Sequence, residues 1–199
     1  MTPASQRQLV DALADTLGET ERIETHIAFV LLAGDFAYKI KKAVRFDFVD
    51  LRALETRRVL CEEELRLNRR LAPALYLDVR PITGTPAAPA LGGAGEAIEW
   101  ALRMRRFAQD GLWDRLAARG ALGPADVDTL AAVLADFHAA APTAPAGSRH
   151  GSADAVRAPV RETLQALDRL VTTPAARQRL AALERWEARQ FGELAAVFD

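Results

Sequence analysis

The chain has 199 residues, of which 50% are apolar and 27% are charged, and its formal net charge is −1. A chain of this length and composition can bury a core of its own. The near-neutral charge gives no electrostatic reason to expect binding to nucleic acid or to an anionic membrane. Cys61 is the only cysteine, which excludes disulfides within the chain and cysteine-based zinc sites.

The chain shows no signal for export or for a metal. Residues 1–5 lack the basic and apolar regions of a signal peptide, and no apolar run approaches the length of a membrane span. We therefore expect a cytoplasmic protein without contact to a membrane. His26, His138 and His150 lie on separate predicted elements without ligand spacing, so a histidine-based metal site is not expected.

The first predicted element is a helix from Ser5 to Leu17, in which Ser5 and Gln8 form a capping box. Apolar residues recur in it at helical spacing, and the modest stripe favours packing against a sheet over binding of a partner. The polar residues 19–24 are expected to lead into the first strand. A glycine-rich phosphate loop is not found there, so any nucleotide cover must be a plain hairpin.

The stretch from Thr25 to Leu71 predicts two strands joined by a tight turn, followed by one long helix. An apolar run over residues 26–32 indicates the first strand, and Gly34 suits the turn because it tolerates a positive φ. Residues 36–41 alternate as the second strand. Asp50 is the predicted cap of the helix, whose middle carries Glu62, Glu63 and Glu64.

Alternation along the second strand places Lys39 and Lys41 on one face. A strand lysine followed by a glutamate on the next helix is the arrangement with which kinase-type folds hold the phosphates of ATP. Lys39 is the first candidate for the phosphate lysine and Lys41 the second, and spacing alone does not select the partner among Glu62, Glu63 and Glu64. The alternative is a solvated strand edge that discourages aggregation, with Glu64 in a surface ion pair.

The segment that connects the second strand to the helix, residues 43–49, and the helix itself both have a predicted inner side. Phe46 and Phe48 of this segment are expected to pack against the sheet. Pro73 ends the helix. The predicted inward stripe of the helix is Leu51, Leu54, Arg58, Cys61, Leu65 and Asn68.

The remaining strands and helices follow in chain order. Residues 75–82 and 97–107 predict strands on either side of a hairpin loop over 83–95. Beyond residue 109 the pattern is helical, with helices predicted over 111–118, from Gly123-Pro124 onward, over 154–171 and over 174–198. His138 lies on the apolar side of the second of these helices and is expected to be a hydrogen-bonded core residue.

Three segments carry a family resemblance: ETHIAFVLLAGDFAYKIKK, CEEELRLNRRLAPALYL and EWALRMRRFAQDGLWDRL. They resemble the aminoglycoside phosphotransferase-like kinases, most closely a subgroup whose kinase-like half is often followed by a P-loop ATP-binding half. The resemblance extends over residues 10–199 and is looser in the helical part. It implies an α+β, protein-kinase-like fold and ATP-dependent phosphoryl transfer to a small molecule.

The resemblance also implies roles for particular residues. Lys39 would contact phosphate, Glu64 would orient Lys39, and a hinge at Met104, Arg105 and Phe107 would meet the adenine edge through its backbone. Met104 is the residue expected beside the adenine, although core packing explains a methionine there equally well.

By the same resemblance the chain divides into three parts. A helix over residues 1–18 packs on a kinase-like N-lobe over 19–107, which has an antiparallel sheet of five or fewer strands and one long helix. An incomplete helical C-lobe follows over 108–199. The sequence does not identify the acceptor substrate, an unknown small molecule. In the resembled proteins most of the acceptor pocket is built by the part of the C-lobe that this chain lacks.

The catalytic block of the family is not matched in this sequence. The family has His-Gly-Asp, an asparagine a few residues later and a second metal-binding aspartate. Here His150-Gly151 is followed by Ser152, and Asn68, the only asparagine, lies in the predicted first lobe. We therefore expect a fragment that is inactive alone, binds ATP weakly, and would use Mg²⁺ only if the missing catalytic segment were present.

A second hypothesis is a non-catalytic kinase-like module that binds a partner or a nucleotide. An incomplete C-lobe leaves apolar surface on its last helix, and exposed apolar patches mark sites of association. We therefore expect an oligomer or a partner bound through this helix. The predicted surface consists of Leu180, Leu183, Trp186, Leu194, Val197 and Phe198.

Overall fold

The structure, a computed structural model, describes residues 2–18, 21–145 and 147–198, without the side chains of residues 195, 196 and 198. The described chain forms two compact units, Met1–Ala132 and Val133–Asp199. The predicted division at residues 18 and 107 stays a prediction. The elements are α1 (Pro3–Leu17), β1 (Glu21–Glu24), β2 (Ala28–Ala33), β3 (Phe36–Lys41), β4 (Arg45–Phe46), β5 (Val49–Asp50), α2 (Leu54–Asn68), β6 (Tyr76–Thr85), β7 (Ala88–Leu91), β8 (Glu99–Arg105), a 3₁₀ helix (Gln109–Gly111), α3 (Trp113–Ala118), α4 (Pro124–Ala139), α5 (Ala153–Leu170) and α6 (Pro174–Phe198).

Six strands form one antiparallel sheet in the order β1-β2-β3-β8-β6-β7. Together with the helices it gives the α+β class expected from the sequence. The expectation of five or fewer strands is wrong. The residues of β1 looked like a polar lead-in, and those of β7 looked like part of a hairpin loop. Both are four-residue edge strands with mostly exposed or half-buried side chains, so hydrophobic alternation signals them weakly.

The predicted hairpin of β2 and β3 is confirmed, with Gly34-Asp35 as its turn. Gly34 has a φ of 54°, in the left-handed region that favours glycine. The first strand begins at Ala28 rather than at His26. The reason is a turn in which the Thr25 N–H donates to the Ala28 carbonyl oxygen at 2.9 Å and thereby links β1 to β2.

Helix α1 covers one face of the sheet and builds the core with it. On β3, Tyr38 and Ile40 are buried on this side, whereas Lys39 and Lys41 turn to the opposite side and meet α2. The predicted alternation of β3 is therefore confirmed. The core cluster contains Leu9, Val10, Leu13, Ala14, Phe29, Leu31, Ala33, Tyr38, Ile40, Ile82 and Ala101.

The start of α1 differs from the prediction. The helix begins at Pro3, and its capping box is formed by Thr2 and Ser5, with the Thr2 Oγ1 accepting from the Ser5 N–H at 3.2 Å. The box predicted for Ser5 and Gln8 is wrong, because a proline suits the first helical position and moves the start toward the N-terminus.

The segment before α2 also differs from the prediction. Residues 45–50 form a two-stranded ribbon of β4 and β5. Asp50 binds Arg52 at 2.6 Å and α2 begins only at Leu54, so the expectation that Asp50 caps this helix is wrong. Phe46 and Phe48 stack on each other, and Phe48 is 75% exposed instead of packed on the sheet. These residues pair within their own ribbon, which separates them from the main sheet.

The inner side of α2 holds a buried ionic network. The predicted stripe contained Arg58, but Arg57 is the buried arginine, with 1% of its surface exposed. Its Nε lies 2.9 and 3.0 Å from the two carboxylate oxygens of the fully buried Glu99. Gln6 of α1 donates to the same carboxylate at 2.7 Å. The network thus ties α1, α2 and β8 together.

Helix α4 buries none of its described residues. Its apolar side stays open to solvent, and His138 is exposed, so the expectation of a core histidine is wrong. The half-exposed apolar residues of α4 are Val127, Leu130, Val133 and Leu134. In the described ranges, no helix is both long and apolar enough to cross a membrane.

The second unit contains α5 and α6, which pack against each other. Leu164 and Leu180 are buried, and Arg157 donates to both carboxylate oxygens of Glu187 at 2.8 and 3.0 Å. The predicted partner surface is corrected in one place, because Leu180 faces inward. The side chain of Phe198 lies outside the described residues. The exposed members are Leu183, Trp186, Leu194 and Val197.

Candidate functional site

A cleft of about 440 Å³ opens on the face of the sheet that carries the lysines of β3. All of its lining residues belong to the first unit. One part of the lining is apolar, and its charged residues are Lys39, Glu64 and Arg106. The apolar residues are Ile23, Ile27, Val30, Leu32, Ala37, Met104 and Phe107.

Lys39 and Lys41 both bind the carboxylate of Glu64. The Nζ of Lys39 is 2.7 Å from Oε1, and the Nζ of Lys41 is 2.6 Å from Oε2. The predicted approach of Lys39 to Glu64 is therefore confirmed, and Lys41 shares the same partner. The side chain of Lys39 is 27% exposed and lines the cleft, whereas that of Lys41 is 11% exposed and is not among the lining residues.

The two ammonium groups determine the charge state of Glu64. Burial alone would raise the pKa of this carboxyl group, but the hydrogen bonds from Lys39 and Lys41 outweigh it and hold the pKa below its usual value. Burial raises the pKa of the neighbouring Cys61 thiol to about 11. The cysteine is thus an unreactive packing residue, and Glu64 is an anion at neutral pH.

The C-terminal end of α2 fixes the position of Glu64. Asn68 donates from its side chain to the Glu64 carbonyl oxygen at 2.8 Å. Arg69 donates to the Tyr76 carbonyl oxygen at 2.9 Å and also to the Leu77 carbonyl oxygen, where the pairing of β6 with β8 is irregular. These bonds attach the helix to the strand, so that Glu64 and Tyr76 line the same cleft.

The predicted hinge contributes two of its three named residues to the cleft. Met104 and Phe107 line it, whereas Arg105 does not. The N–H groups of Arg105 and Arg106 donate at 2.8 Å to the carbonyl oxygens of Leu75 and Asp35. The Phe107 N–H has no hydrogen-bond acceptor among the described residues. Unlike the N–H groups of Arg105 and Arg106, it is not used within the described part of the protein.

Several residues that line the cleft had no predicted role in the site, among them Ile23, Tyr76 and Arg106. Ile23 belongs to the unpredicted strand β1. Tyr76 lies in the second of the three resembling segments, and nothing in its spacing marks it. Arg106 lies inside the predicted hinge, and only the structure shows its side chain along the cleft.

The partial match to the catalytic block has a structural explanation. Ser152 is the N-cap of α5 and accepts from the Ala155 N–H at 3.3 Å. His150-Gly151 is therefore the turn before a helix, and it lies in the second unit. Among the described residues, no group of three or more His, Cys, Asp or Glu side chains could hold a metal ion.

Comparison with known proteins gives relatives without a stated function. Uncharacterized proteins of Mycobacterium tuberculosis and Mycobacterium bovis are 37% identical to the chain over 115 residues, which are 58% of this chain and 22% of each relative. The aligned part therefore spans about a fifth of the length of the curated relatives. No family model matches the chain, and no solved structure matches it.

Proposed function

We propose that the chain is the nucleotide-binding portion of an ATP-dependent small-molecule phosphotransferase of the aminoglycoside phosphotransferase-like kind. The observation that carries the proposal is the Lys39–Glu64 pair at one side of an apolar cleft. A flat apolar base with a charged phosphate tail requires this combination of surfaces. The protein-kinase-like architecture belongs to the same proposal, since the glutamate of the long helix α2 meets the lysine of β3.

The apolar part of the cleft suits adenine. Its volume of about 440 Å³ lies within the range of small-molecule sites. Met104 and Phe107 supply apolar contacts, and the Phe107 N–H supplies a donor for a ring nitrogen. The N–H groups of Arg105 and Arg106 already have acceptors within the protein. We therefore assign the backbone contact to adenine to the Phe107 N–H alone, instead of to the whole hinge expected from the sequence.

The charged part of the cleft suits phosphate. The Lys39 ammonium is held at the cleft by Glu64 and brings a positive charge to the phosphate tail. Mg²⁺ has no fitting ligand set among the described residues, and the His-Gly-Asp block is absent from the 199-residue sequence. The chain therefore binds nucleotide without performing transfer, and its acceptor is an unidentified small molecule.

A titration with ATP and with adenosine tests this proposal. A partly exposed charge pair contributes about 1 kcal/mol or less, so we expect ATP to bind on the order of millimolar with little dependence on Mg²⁺. Adenosine should bind more weakly. Lys39→Met should reduce the difference between the two ligands, because the phosphate tail loses the cation that Glu64 holds at the cleft, while Arg106 remains.

Lys42→Met is the matched control. Lys42 follows the same strand but pairs with Glu24, 2.7 Å away, and does not line the cleft. Its replacement should leave the preference for ATP unchanged. A tight, Mg²⁺-dependent ATP complex, or no preference for ATP over adenosine in the unmodified protein, would contradict the proposal.

The alternative is a non-catalytic module that binds a partner through its last helix. The exposed side chains of Leu183, Trp186, Leu194 and Val197 on α6 favour it. Light scattering tests this surface, because association through α6 should disappear in a Trp186→Ser variant. Phosphate transfer from ATP that depends on Lys39 would instead mean that the chain contains a substitute for the missing base.

A further inference from the structure

The turn between β1 and β2 lines the cleft with three successive residues, Thr25, His26 and Ile27. The proposed function gives none of them a role. His26 is exposed, and an imidazole carries at least one N–H donor in either of its protonation states. The turn therefore brings to the cleft a polar side chain whose purpose is still unassigned.

The register of the sheet gives the position of His26 along the cleft. Next to the hinge, Ala37 of β3 pairs with Met104 of β8. Lys39 lies two residues farther along β3, about 7 Å from that pair, and is opposite Val30 of β2. Strand β2 runs from the turn towards the hinge, so His26 lies beyond Lys39 on the side away from the hinge. The cleft thus has the hinge at one end, Lys39 between the ends and His26 at the other end.

The turn has backbone donors that its own hydrogen bonds leave unused. The Thr25 N–H donates to the Ala28 carbonyl oxygen at 2.9 Å, and the Ala28 N–H donates to the Thr25 Oγ1 at 3.0 Å. The N–H groups of His26 and Ile27, between these two, have no acceptor among the described residues. Successive N–H groups of a turn commonly bind anions. This end of the cleft therefore combines an imidazole with two unused backbone donors.

The ribbon of β4 and β5 supports the ring of His26. The ring meets that of Phe46 edge-on, with centroids 5.8 Å apart and planes at 77°. Phe46 stacks in turn on Phe48, whose centroid is 5.6 Å away. The backbone is held as well, because the Lys42 N–H donates to the Ile27 carbonyl oxygen at 2.8 Å. The ribbon thus gives an exposed histidine a defined orientation.

We infer that His26 is a specificity-determining residue that binds the end of a nucleotide's phosphate chain, so that the cleft prefers a triphosphate to a monophosphate. The inference rests on the proposed function, which places the base at the hinge. A ligand that extends from the hinge past Lys39 reaches His26 with the end of its phosphate chain. Lys39 then distinguishes a nucleotide from a nucleoside, and His26 distinguishes a long phosphate chain from a short one.

Histidine-selective isotope labelling tests this assignment, since the sequence contains three histidines. His138 and His150 belong to the second unit and serve as internal references. At equal occupancy of the hinge, monitored by the methyl signal of Met104, ATP should shift the ring signals of His26 and AMP should shift them little. Equal shifts of His26 with ATP and AMP, or no shift with ATP, would overturn the inference.

The ratio of ATP affinity to AMP affinity provides the second measurement. His26→Ala should lower this ratio about fivefold, the order of one hydrogen bond in a partly exposed site. Adenosine affinity should stay the same, because the base does not reach the turn. His150→Ala is the matched control and should leave the ratio unchanged. An unchanged ratio in a folded His26→Ala protein would contradict the inference.

Phe46 acts through His26 as a positioning residue and has a test of its own. Phe46→Leu removes the aromatic ring and should move the His26 signal of the free protein and lower the ATP-to-AMP ratio. Phe46→Tyr keeps an aromatic ring at this position and should preserve both. If Phe46→Leu changes neither the signal nor the ratio, the ribbon does not position His26.

The signals of Met104 and His26 distinguish failure of the inference from failure of the proposed function. If nucleotides shift Met104 but ATP leaves His26 in place, the nucleotide site stands and the inference is overturned. If no nucleotide shifts either signal, the proposed function fails and the inference fails with it.

Discussion

The two units of the chain stabilise themselves differently. The first unit, Met1–Ala132, has an extended apolar core between α1 and the sheet, with many side chains fully removed from solvent. In the second unit, Val133–Asp199, the buried described side chains are Leu164, Leu180 and Glu187. A core of the first kind holds ligand-binding groups in fixed positions, and the candidate site lies wholly in that unit.

The same difference appears in two ion pairs of identical chemistry. In the first unit, Arg57 and Glu99 are 1% and 0% exposed, and Gln6 and the Trp100 N–H complete the hydrogen bonds of the carboxylate. In the second unit, Arg157 binds Glu187 with similar distances but is itself 30% exposed. Solvent can replace Glu187 as the partner of the exposed Arg157, whereas solvent does not reach the buried Arg57 to replace Glu99.

The largest expected effect is that of Glu99→Ala. It leaves Arg57 as an unpaired buried cation, which typically costs about 3 to 5 kcal/mol of unfolding free energy. Urea denaturation measures this loss, with the exposed Glu96→Ala as the control, for which little change is expected. If Glu99→Ala lowers the unfolding free energy no more than Glu96→Ala does, the buried ion pair does not stabilise the first unit in the way described.

Core truncation should show the next largest effect. Leu31 in β2 is 0% exposed, so Leu31→Ala should cost about 2 to 5 kcal/mol through lost burial and a residual cavity. The matched change in the second unit, Leu183→Ala, affects a residue that is 45% exposed and should change stability by about 0.5 kcal/mol or less. Similar losses from both variants would show that α6 is covered in solution.

A smaller effect is expected from Glu64→Gln, and it depends on pH. The folded pKa of Glu64 is lowered, so its stabilising contribution is complete above the ordinary carboxyl pKa of about 4.5 and is lost as the pH falls through the lower folded value. The stability difference between the two proteins should therefore be largest at neutral pH and shrink below pH about 4. Urea midpoints across this range measure it, and a constant difference would contradict the shared lysine pairing.

The smallest effect is expected from Glu187→Ala in the second unit. Its partner Arg157 remains in contact with solvent, so the urea midpoint should fall far less than in Glu99→Ala. The comparison uses the same substitution at the same kind of arginine contact. A loss equal to that of Glu99→Ala would mean that the second unit is as tightly stabilised as the first.

The sequence predicts the central hairpin because it depends on local signals, whereas the choice of Glu64 as the partner of Lys39, 25 residues away, came from the family resemblance. Strand alternation fixes the face of Lys39, and Gly34 fixes the turn. Arg57 and Glu99 could not be paired in this way. They are 42 residues apart, and a charged residue on a helix usually predicts a solvated face.

Turn and cap signals were less reliable because several residues compete for each role. Asp50 is a good helix cap by residue type, but it lies in β5 and binds Arg52. Edge strand β1 carries charged residues, which made it look like a linker, and with it Ile23 of the cleft was missed. Such positions depend on pairing with distant residues rather than on local preference.

The adenine site is tested most directly by the methyl signal of Met104, one of two methionines in the sequence. With methyl-labelled methionine, adenosine and ATP at millimolar concentrations should both shift the Met104 signal, because the ring current of a stacked base acts on a nearby methyl group, whereas tripolyphosphate should move it little. A Met104→Leu variant assigns the signal, and that of Met1 serves as the reference. If neither adenosine nor ATP shifts the Met104 signal, or if tripolyphosphate shifts it equally, the cleft is not an adenine-nucleotide site.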